Sequence, residues 1–259
     1  MAGTTNADAI FHIPFVYVAK SAVLLPLCGF LFCVTWSILY DFESSTATHC
    51  KVANYLPSIS SAIGGYTPQK YVWRICVALH CSPRLMFAIA YYNFHTRIHV
   101  GRKNIIYTNL AAIASSLHIT EILALVGLTY ISSTDNGDMH EYLFIAFMVC
   151  SLSHMLLSCM LFHWGRSANN RAMTNMERQS FHYKVGLFLF NLTSFLFAVY
   201  LYFRHQAYCE SGMYTWFALA EYLTVISNIA YNGTVILDFN ELEVSVSSSN
   251  GTSHIHKST

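Results

Sequence analysis

The sequence predicts an all-α, polytopic membrane protein built as a bundle of six transmembrane helices. Three observations favour this class. Hydrophobic residues fill 54% of the 259 positions and charged residues only 10%, whereas soluble domains carry about 25% charged residues. The mean hydropathy is +0.41. Six stretches approach the roughly 20 apolar residues that a membrane-spanning helix needs.

The six predicted spans follow one another along the chain. The first, about residues 21–40, has an apolar run too long for a signal peptide and no small-residue cleavage site after it. The second, about residues 71–96, contains Pro83, which cannot donate to the helix ladder and is expected to kink it. The remaining spans are about residues 105–131, 140–164, 184–203 and 213–237.

Lysine and arginine in the connections predict the orientation. One side carries Lys20, Arg97, Arg102, Lys103, Arg166, Arg171, Arg178, Lys184 and Lys257, and the other carries only Lys51, Lys70 and Arg204. Both termini are therefore expected in the cytosol, with the loop at residues 41–70 in the lumen. We expect one domain over residues 1–240, and a disordered cytosolic tail over the polar, serine-rich residues 241–259.

Cysteine and asparagine positions give two further expectations. Six of the eight cysteines fall inside spans, whereas Cys50 and Cys209 fall in separate loops on the predicted lumenal side. Disulfides persist in oxidising compartments, so these two residues are either a disulfide or a pair of free thiols. The glycosylation motifs at Asn191, Asn232 and Asn250 lie in spans or in the tail, so no N-glycan is expected.

Ionisable residues inside membrane spans indicate a functional site, because they are unfavourable in lipid. His80 and Arg84 are four residues apart and His118 and Glu121 are three apart, so each pair shares a helix face. A rise of about 1.5 Å per residue brings both pairs and Glu221 to similar depth in the lumenal half. This predicts a polar, partly hydrated cavity open to the lumenal leaflet.

The residue types in this cavity suggest acid–base chemistry on an anionic substrate. Arg84 can bind phosphate or carboxylate, and His80, oriented by Glu121 or Glu221, can act as a general base. Arg74, nearer the interface, is either a second anion ligand or an ordinary snorkelling anchor.

Structural and other catalytic alternatives remain open. Arg84 can pair with a glutamate purely to fix helix packing, with His80 a satisfied core histidine. His80, His118 and Glu121 lack a diagnostic metal-ligand spacing, and we expect neither a metal nor a cofactor. His49 and the nearby serines are a further catalytic candidate, although their composition is typical of a solvated loop. The net charge of +1 gives no basic field for a nucleic-acid partner.

Three stretches resemble the post-GPI-attachment-to-proteins factor 2 family. They are "FLFCVTWSILYDFESSTATHCKVANYLPSISSAIGGYTPQKYVWRICVALHCSPR", "LTYISSTDNGDMHEYLFIAFMVCSLSHMLLSC" and "VYLYFRHQAYCESGMYTWFALAEY". Together they cover four of the spans and all three predicted lumenal loops. The motifs "ATHC", "NYLPSISSAIGG" and "YFRH" are not generic membrane sequence, and the cytosolic loops and tail resemble the family poorly.

The resemblance implies a multi-pass protein of the Golgi membrane, with some in the endoplasmic reticulum. It implies a role in GPI-anchor fatty-acid remodelling, in which a lyso-GPI is reacylated at sn-2 with a saturated chain. The chain is then an acyltransferase or, alternatively, a non-enzymatic factor that presents lyso-GPI to one. Its partners would be GPI-anchored proteins and an acyl donor lipid. In this view His80, Glu121 and Glu221 are catalytic, and Arg74, Arg84 and His118 bind substrate.

Overall fold

Six long helices form a closed ring in the computed structural model, which describes residues 9–168 and 173–247. In chain order the elements are β1 (Ala9–Pro14), α1 (Phe15–Tyr40), α2 (Phe42–Thr46), α3 (Ile59–Gly64), α4 (Gln69–Thr96), a 3-10 turn (Gly101–Lys103), α5 (Asn104–Tyr130), α6 (Gly137–Ala168), α7 (Asn175–Tyr208), α8 (Met213–Gly233), α9 (Val235–Asp238) and β2 (Glu243–Ser247).

Each ring helix packs against the next. α1 contacts α4, the order continues through α5, α6, α7 and α8, and α8 returns to α1. Within the described residues, five of the six ring helices are long and apolar enough to cross a membrane. The sixth, α8, is not among them and carries Glu221 and Asn228. The predicted class, a helical membrane protein, is confirmed.

Small residues let neighbouring helices approach closely, as is common where lipid replaces water outside the bundle. A Cβ added at Gly29 of α1 would lie 3.0 Å from the Cβ of Cys76 on α4. One added at Gly127 of α5 would lie 2.9 Å from the Leu143 side chain on α6. Large apolar side chains such as Leu24 cover the outer faces.

α7 is longer than the span predicted from the sequence. It begins at Asn175 because Thr174 and Glu177 form a capping box: Thr174 Oγ1 accepts from the Glu177 backbone at 3.2 Å, and Glu177 Oε2 accepts from the Thr174 backbone at 3.0 Å. Such a box satisfies two of the free amides at a helix start. α4 also runs through Pro83 as one element.

The two ends of the ring differ, and we name them by their contents. The disulfide end carries α2, α3, residues 131–136 and the disulfide between Cys50 and Cys209. The strand end carries β1, β2 and the 3-10 turn. The loop between α1 and α4 packs onto the disulfide end, where the Gly212 amide donates to the Ala53 carbonyl at 3.0 Å.

Part of the stretch that the sequence predicts as a disordered tail, Glu243–Ser247, forms a strand in the structure. These residues form β2, which pairs antiparallel with β1 so that Ser247 faces Ala9. The alternating valines of this stretch favour a strand, although its serines give it the composition of a polar tail. The rest of the predicted tail, residues 248–259, lies outside the described residues.

Candidate functional site

An ion pair lies inside the ring, between α4 and α5. Arg84 Nη2 donates to Glu121 Oε1 at 2.7 Å, and the two side chains are 3% and 1% exposed. His80 and His118 are also buried, one on each helix. The four residues face inward because the spacings within each pair place them on one helix face. Of the two partners that the sequence allowed for Arg84, the structure selects Glu121.

Hydrogen bonds extend this ion pair to two more helices. Asn228 Nδ2 on α8 donates to Glu121 Oε1 at 3.1 Å and to Ser151 Oγ on α6 at 2.7 Å. Ser151 and Asn228 are themselves buried. Because a buried charge persists only when it is paired and hydrogen-bonded, this network ties together four of the six ring helices.

Polar atoms beside the ion pair are left unused. Among the residues that the structure describes, His80 Nδ1, Arg84 Nε and both ring nitrogens of His118 are buried with no hydrogen bond of ordinary geometry, as are the ring nitrogens of His205 at the disulfide end. The His118 ring stacks on His154 of α6, with centroids 4.3 Å apart. Buried polar atoms are normally satisfied by protein, water or a ligand, so this region has hydrogen-bonding capacity that the fold does not consume.

A small cavity adjoins these histidines on the side of the strand end. It measures about 10 Å³ and is lined by His118, His154, Lys184 and Asn232, among others. A space of this size holds about one water molecule. In this conformation the cavity admits water beside the network but has no room for an acyl chain.

Glu221, the other partner that the sequence allowed for Arg84, bonds the loop at the disulfide end instead. Its Oε2 accepts from the Ile59 amide at 2.9 Å, in the first turn of α3. The hydroxyl of the adjacent Tyr222 donates to the Pro57 carbonyl at 2.5 Å. Helix rise predicts a depth for Glu221 but no direction, and the loop folds back to meet it.

Arg74 closes the end of α5, in line with the anchoring alternative. Its Nη2 donates to the Tyr130 carbonyl at 2.9 Å and its Nε to the Thr129 carbonyl at 3.4 Å. These are carbonyls that a helix end leaves without partners. Arg74 Nη2 also lies 3.8 Å from Asp135 Oδ2. Hydrogen bonds from the side chain and backbone of Ser132 lower the pKa of Asp135.

A second buried charge cluster lies at the strand end, and sequence reasoning missed it. Lys184 Nζ contacts the Asp238 carboxylate and donates to Ser180 Oγ at 2.7 Å, and the Tyr91 hydroxyl also donates to Asp238. The Lys184 and Asp238 side chains are 2% and 6% exposed. The position of Lys184 next to an apolar run predicted the edge of a cytosolic loop instead. The capping box that starts α7 at Asn175 was the sequence signal that places Lys184 within the helix.

The disulfide end contains the Cys50–Cys209 bridge, with Cα atoms 5.3 Å apart. His49 Nε2 lies 3.2 Å from Cys50 Sγ, and the His205 ring lies edge-on to His49 at 5.7 Å. Within residues 9–168 and 173–247, His49, Cys50 and His205 are the one group of three or more histidine, cysteine or acidic side chains close enough to share a metal ion. The Cys50 sulfur is committed to the disulfide. The three residues weighed as metal ligands from the sequence form no such group.

Ser60 and His140 meet at the same end of the ring. Ser60 Oγ, on α3, lies 3.0 Å from His140 Nε2, near the start of α6. His140 Nδ1 lies 2.7 Å from the Ile131 carbonyl oxygen. A carbonyl oxygen only accepts, so Nδ1 carries the proton; in the neutral tautomer with that proton, Nε2 accepts from the Ser60 hydroxyl. The serines of this loop were candidates from the sequence, whereas His140 was missed.

Similarity to known proteins extends over nearly the whole chain. Residues 14–242 match the family described as the Frag1/DRAM/Sfk1/Cwh43P N-terminal domain. The chain is 41% identical over 243 residues to a Xenopus tropicalis protein named "Acyltransferase PGAP2", with 94% of each chain covered. It is 43% identical over 252 residues to a Caenorhabditis elegans protein named "Post-GPI attachment to proteins factor 2", covering 95% of this chain and 94% of that one.

A more distant relative is similar to this chain over a small part of its own length. Identity to "Protein cwh43" of Schizosaccharomyces pombe is 24% over 188 residues, which is 73% of this chain and 17% of that protein. No solved structure matches.

Proposed function

The chain belongs to the family of post-GPI attachment to proteins factor 2, and on that premise we propose that it acts in GPI-anchor remodelling as an acyltransferase. The proposed reaction restores a saturated fatty acid to the sn-2 hydroxyl of a lyso-GPI in the lumenal leaflet. The printed name of the Xenopus tropicalis relative, aligned over 94% of both chains, supports this reaction class. The proposed partners are GPI-anchored proteins and an acyl donor lipid, in the Golgi membrane and partly in the endoplasmic reticulum.

The observation that carries the proposal is the unused polar capacity beside the buried ion pair. Arg84 Nε, His80 Nδ1 and both His118 nitrogens lack partners among the described residues. A bundle that only had to hold its shape would often be as stable, or more stable, with apolar side chains there. Ionisable groups kept inside membrane helices mark substrate pathways and reaction sites.

The geometry refines the roles that the sequence suggested. In the proposal His80 remains a candidate base, and Arg84 and His118 remain candidate ligands for the phosphate and hydroxyl groups of the substrate. Glu121 is engaged by Arg84 and Asn228, so its role is to position Arg84. Glu221 and Arg74 also hydrogen-bond to backbone groups. We assign both to positioning the loop and the helix end that they contact.

We place the disulfide end in the lumen. Disulfides persist in oxidising compartments, which supports this orientation. An open depression of about 570 Å³ on the outside of α7 adjoins the same end and is lined by Tyr200, Phe203, Arg204, Tyr208 and Glu210. Aromatic rings of this kind are enriched at membrane–water interfaces, so a lipid headgroup would meet the ring at this level.

The closed interior favours one competing function, a factor that binds and presents lyso-GPI without chemistry. The Arg84–Glu121 pair is nearly inaccessible, and the adjoining cavity holds about one water. If the polar network only stabilises a lipid-holding bundle, the protein will bind lyso-GPI and leave it unchanged.

Reconstitution separates the two functions. The purified protein in lipid nanodiscs receives lyso-GPI together with deuterated saturated phospholipid or deuterated saturated acyl-CoA, and mass spectrometry follows the label into GPI. Transfer above protein-free nanodiscs supports the acyltransferase. Saturable binding of lyso-GPI with no label transfer from either donor rejects it in favour of the presenting factor.

Variants then test the interior. In cells that lack the endogenous factor, His80→Ala and Arg84→Gln should restore fewer saturated sn-2 chains than wild type at equal expression. His99→Ala is the matched control, because His99 is exposed in the connection after α4. Full rescue by both interior variants would show that the network is packing alone.

A further inference from the structure

Ser60 and His140 have the arrangement of an activated nucleophile. Ser60 Oγ is within hydrogen-bond distance of His140 Nε2, at 3.0 Å, and the Ile131 carbonyl fixes the opposite ring nitrogen at 2.7 Å. A nucleophile bonded to a base that a third group orients is the recurring signature of covalent acyl transfer. Ser60 is half-buried and His140 is buried.

The loop around Ser60 is held on both sides. The Ile59 amide, one residue before, donates to Glu221 Oε2 at 2.9 Å. The Ser61 hydroxyl, one residue after, donates to the Ser45 carbonyl at 2.7 Å. Reacting groups must be fixed to within about 0.5 Å of their productive geometry, and these contacts limit the movement of Ser60. In this view the role of Glu221 is to hold the residue next to Ser60 in place.

We propose that Ser60 is the acyl-carrying nucleophile of this protein, that His140 is its base, and that the acyl donor is a phospholipid ester of the same leaflet. This inference rests on the proposed acyltransferase function. It places the first bond-making step at the disulfide end of the ring, in competition with His80 in the interior.

The first half-reaction moves the acyl chain to the protein. Ser60 gives its proton to His140 Nε2 as Oγ attacks the carbonyl carbon of the phospholipid ester. The bond from that carbon to the glycerol oxygen breaks, and the departing oxygen takes the proton from His140. The products are an ester on Ser60 and a lysophospholipid.

The second half-reaction moves the chain to the lyso-GPI. Its sn-2 hydroxyl gives its proton to His140 and attacks the carbonyl carbon of the Ser60 ester. The bond to Ser60 Oγ breaks, and Oγ recovers the proton. One ester is exchanged for another, so no oxidant, reductant or nucleotide is consumed. A lumenal site therefore needs no access to acyl-CoA.

The test uses the full-length protein in nanodiscs containing deuterated distearoyl phosphatidylcholine, with lyso-GPI added after a delay. We expect a labelled acyl group on the peptide that contains Ser60 before addition, and its loss to GPI afterwards. Ser60→Ala and His140→Gln should lower the kcat of transfer by about 100-fold or more. Ser44→Ala, an exposed serine on α2 at the same end, is the matched control and should transfer at the wild-type rate.

The outcomes separate this inference from the function beneath it. Wild-type transfer with no Ser60 adduct, and with Ser60→Ala retaining at least half the rate, would overturn the inference and leave the acyltransferase intact. Transfer from acyl-CoA alone would overturn the phospholipid donor. No transfer by wild type from either donor would reject both the function and the inference. Ser60→Cys guards against misfolding, since its thioester would be released by hydroxylamine at neutral pH.

Discussion

Replacing Arg84 by methionine would leave the Glu121 carboxylate buried with one remaining hydrogen bond among the described residues, from Asn228 Nδ2 at 3.1 Å. The lost contact is the 2.7 Å pairing of two side chains that are at most 3% exposed. Breaking one half of a buried ion pair costs about 3–5 kcal/mol, because the surviving charge stays desolvated without its partner. For a chain of this size, about 1 kcal/mol corresponds to roughly 2–4 °C in Tm. The expected drop in Tm is therefore roughly 6–20 °C.

The double variant Arg84→Met/Glu121→Leu should behave differently. Removing both charges removes the desolvation cost, and apolar replacements of a buried pair are often neutral or stabilising. Asn228 then keeps its 2.7 Å bond to Ser151. We expect a Tm near that of wild type. If Glu121→Leu alone also costs about 3–5 kcal/mol, the coupling energy between the two positions is about 6–10 kcal/mol in magnitude.

Thermal unfolding of the purified variants in one detergent measures these shifts, with His99→Ala as the control for handling. Single-variant shifts within experimental error would show that the pair does not stabilise the ring. A double variant as unstable as the sum of its singles would show that the two charges act independently. A double variant that is stable but inactive in lyso-GPI reacylation would separate the function of the network from its packing.

Three further predictions test other parts of the fold. Cys50→Ser opens a disulfide across 159 residues and should lower the free energy of unfolding by about 2–5 kcal/mol. Wild type in reductant should show the same loss of stability. An unchanged Tm would contradict the bridge. Hydrogen bonds from Ser132 lower the pKa of Asp135, so its carboxylate stabilises the fold above the unfolded pKa of about 3.9 and stops doing so as the pH falls through the folded pKa. The Tm of wild type should thus fall more steeply below about pH 4 than that of Asp135→Asn, and parallel profiles would refute this. Gly165→Ala places a Cβ 2.5 Å from the Tyr107 hydroxyl and should destabilise by about 1–3 kcal/mol, visible as a lower Tm; no loss would show that the tyrosine moves freely.

The helical membrane fold followed from composition, because repeated apolar runs near 20 residues are typical of membrane-spanning helices. Periodicity also placed Arg84 and Glu121 inside the ring, since i,i+3 and i,i+4 spacing fixes a shared face. Periodicity does not predict how far each helix is rotated about its own axis relative to its neighbours. Glu221 lies at a suitable depth but turns toward the loop and bonds the Ile59 amide.

Contacts built by loops were the least accessible to sequence reasoning. The Ser60–His140 pair joins residues 80 positions apart through a turn of α3 that has no strong periodicity. Lys184 was misplaced because a lysine near an apolar run usually marks the end of a span. The capping box that contradicts this, Thr174 with Glu177, was legible in the sequence. The strand over Glu243–Ser247 was hidden by its serines.

The pairing of β1 with β2 fixes whether the number of membrane crossings between them is even or odd. Both strands lie at one end of the ring, so the backbone that leaves Pro14 must return to the same side of the membrane before Glu243. Only an even number of crossings permits this. Since five helices of the described chain are long and apolar enough to cross, this pairing predicts that α8, with its glutamate and asparagines, crosses as well. A reporter fused before Ala9 and one fused after Ser247 should therefore sense the same compartment.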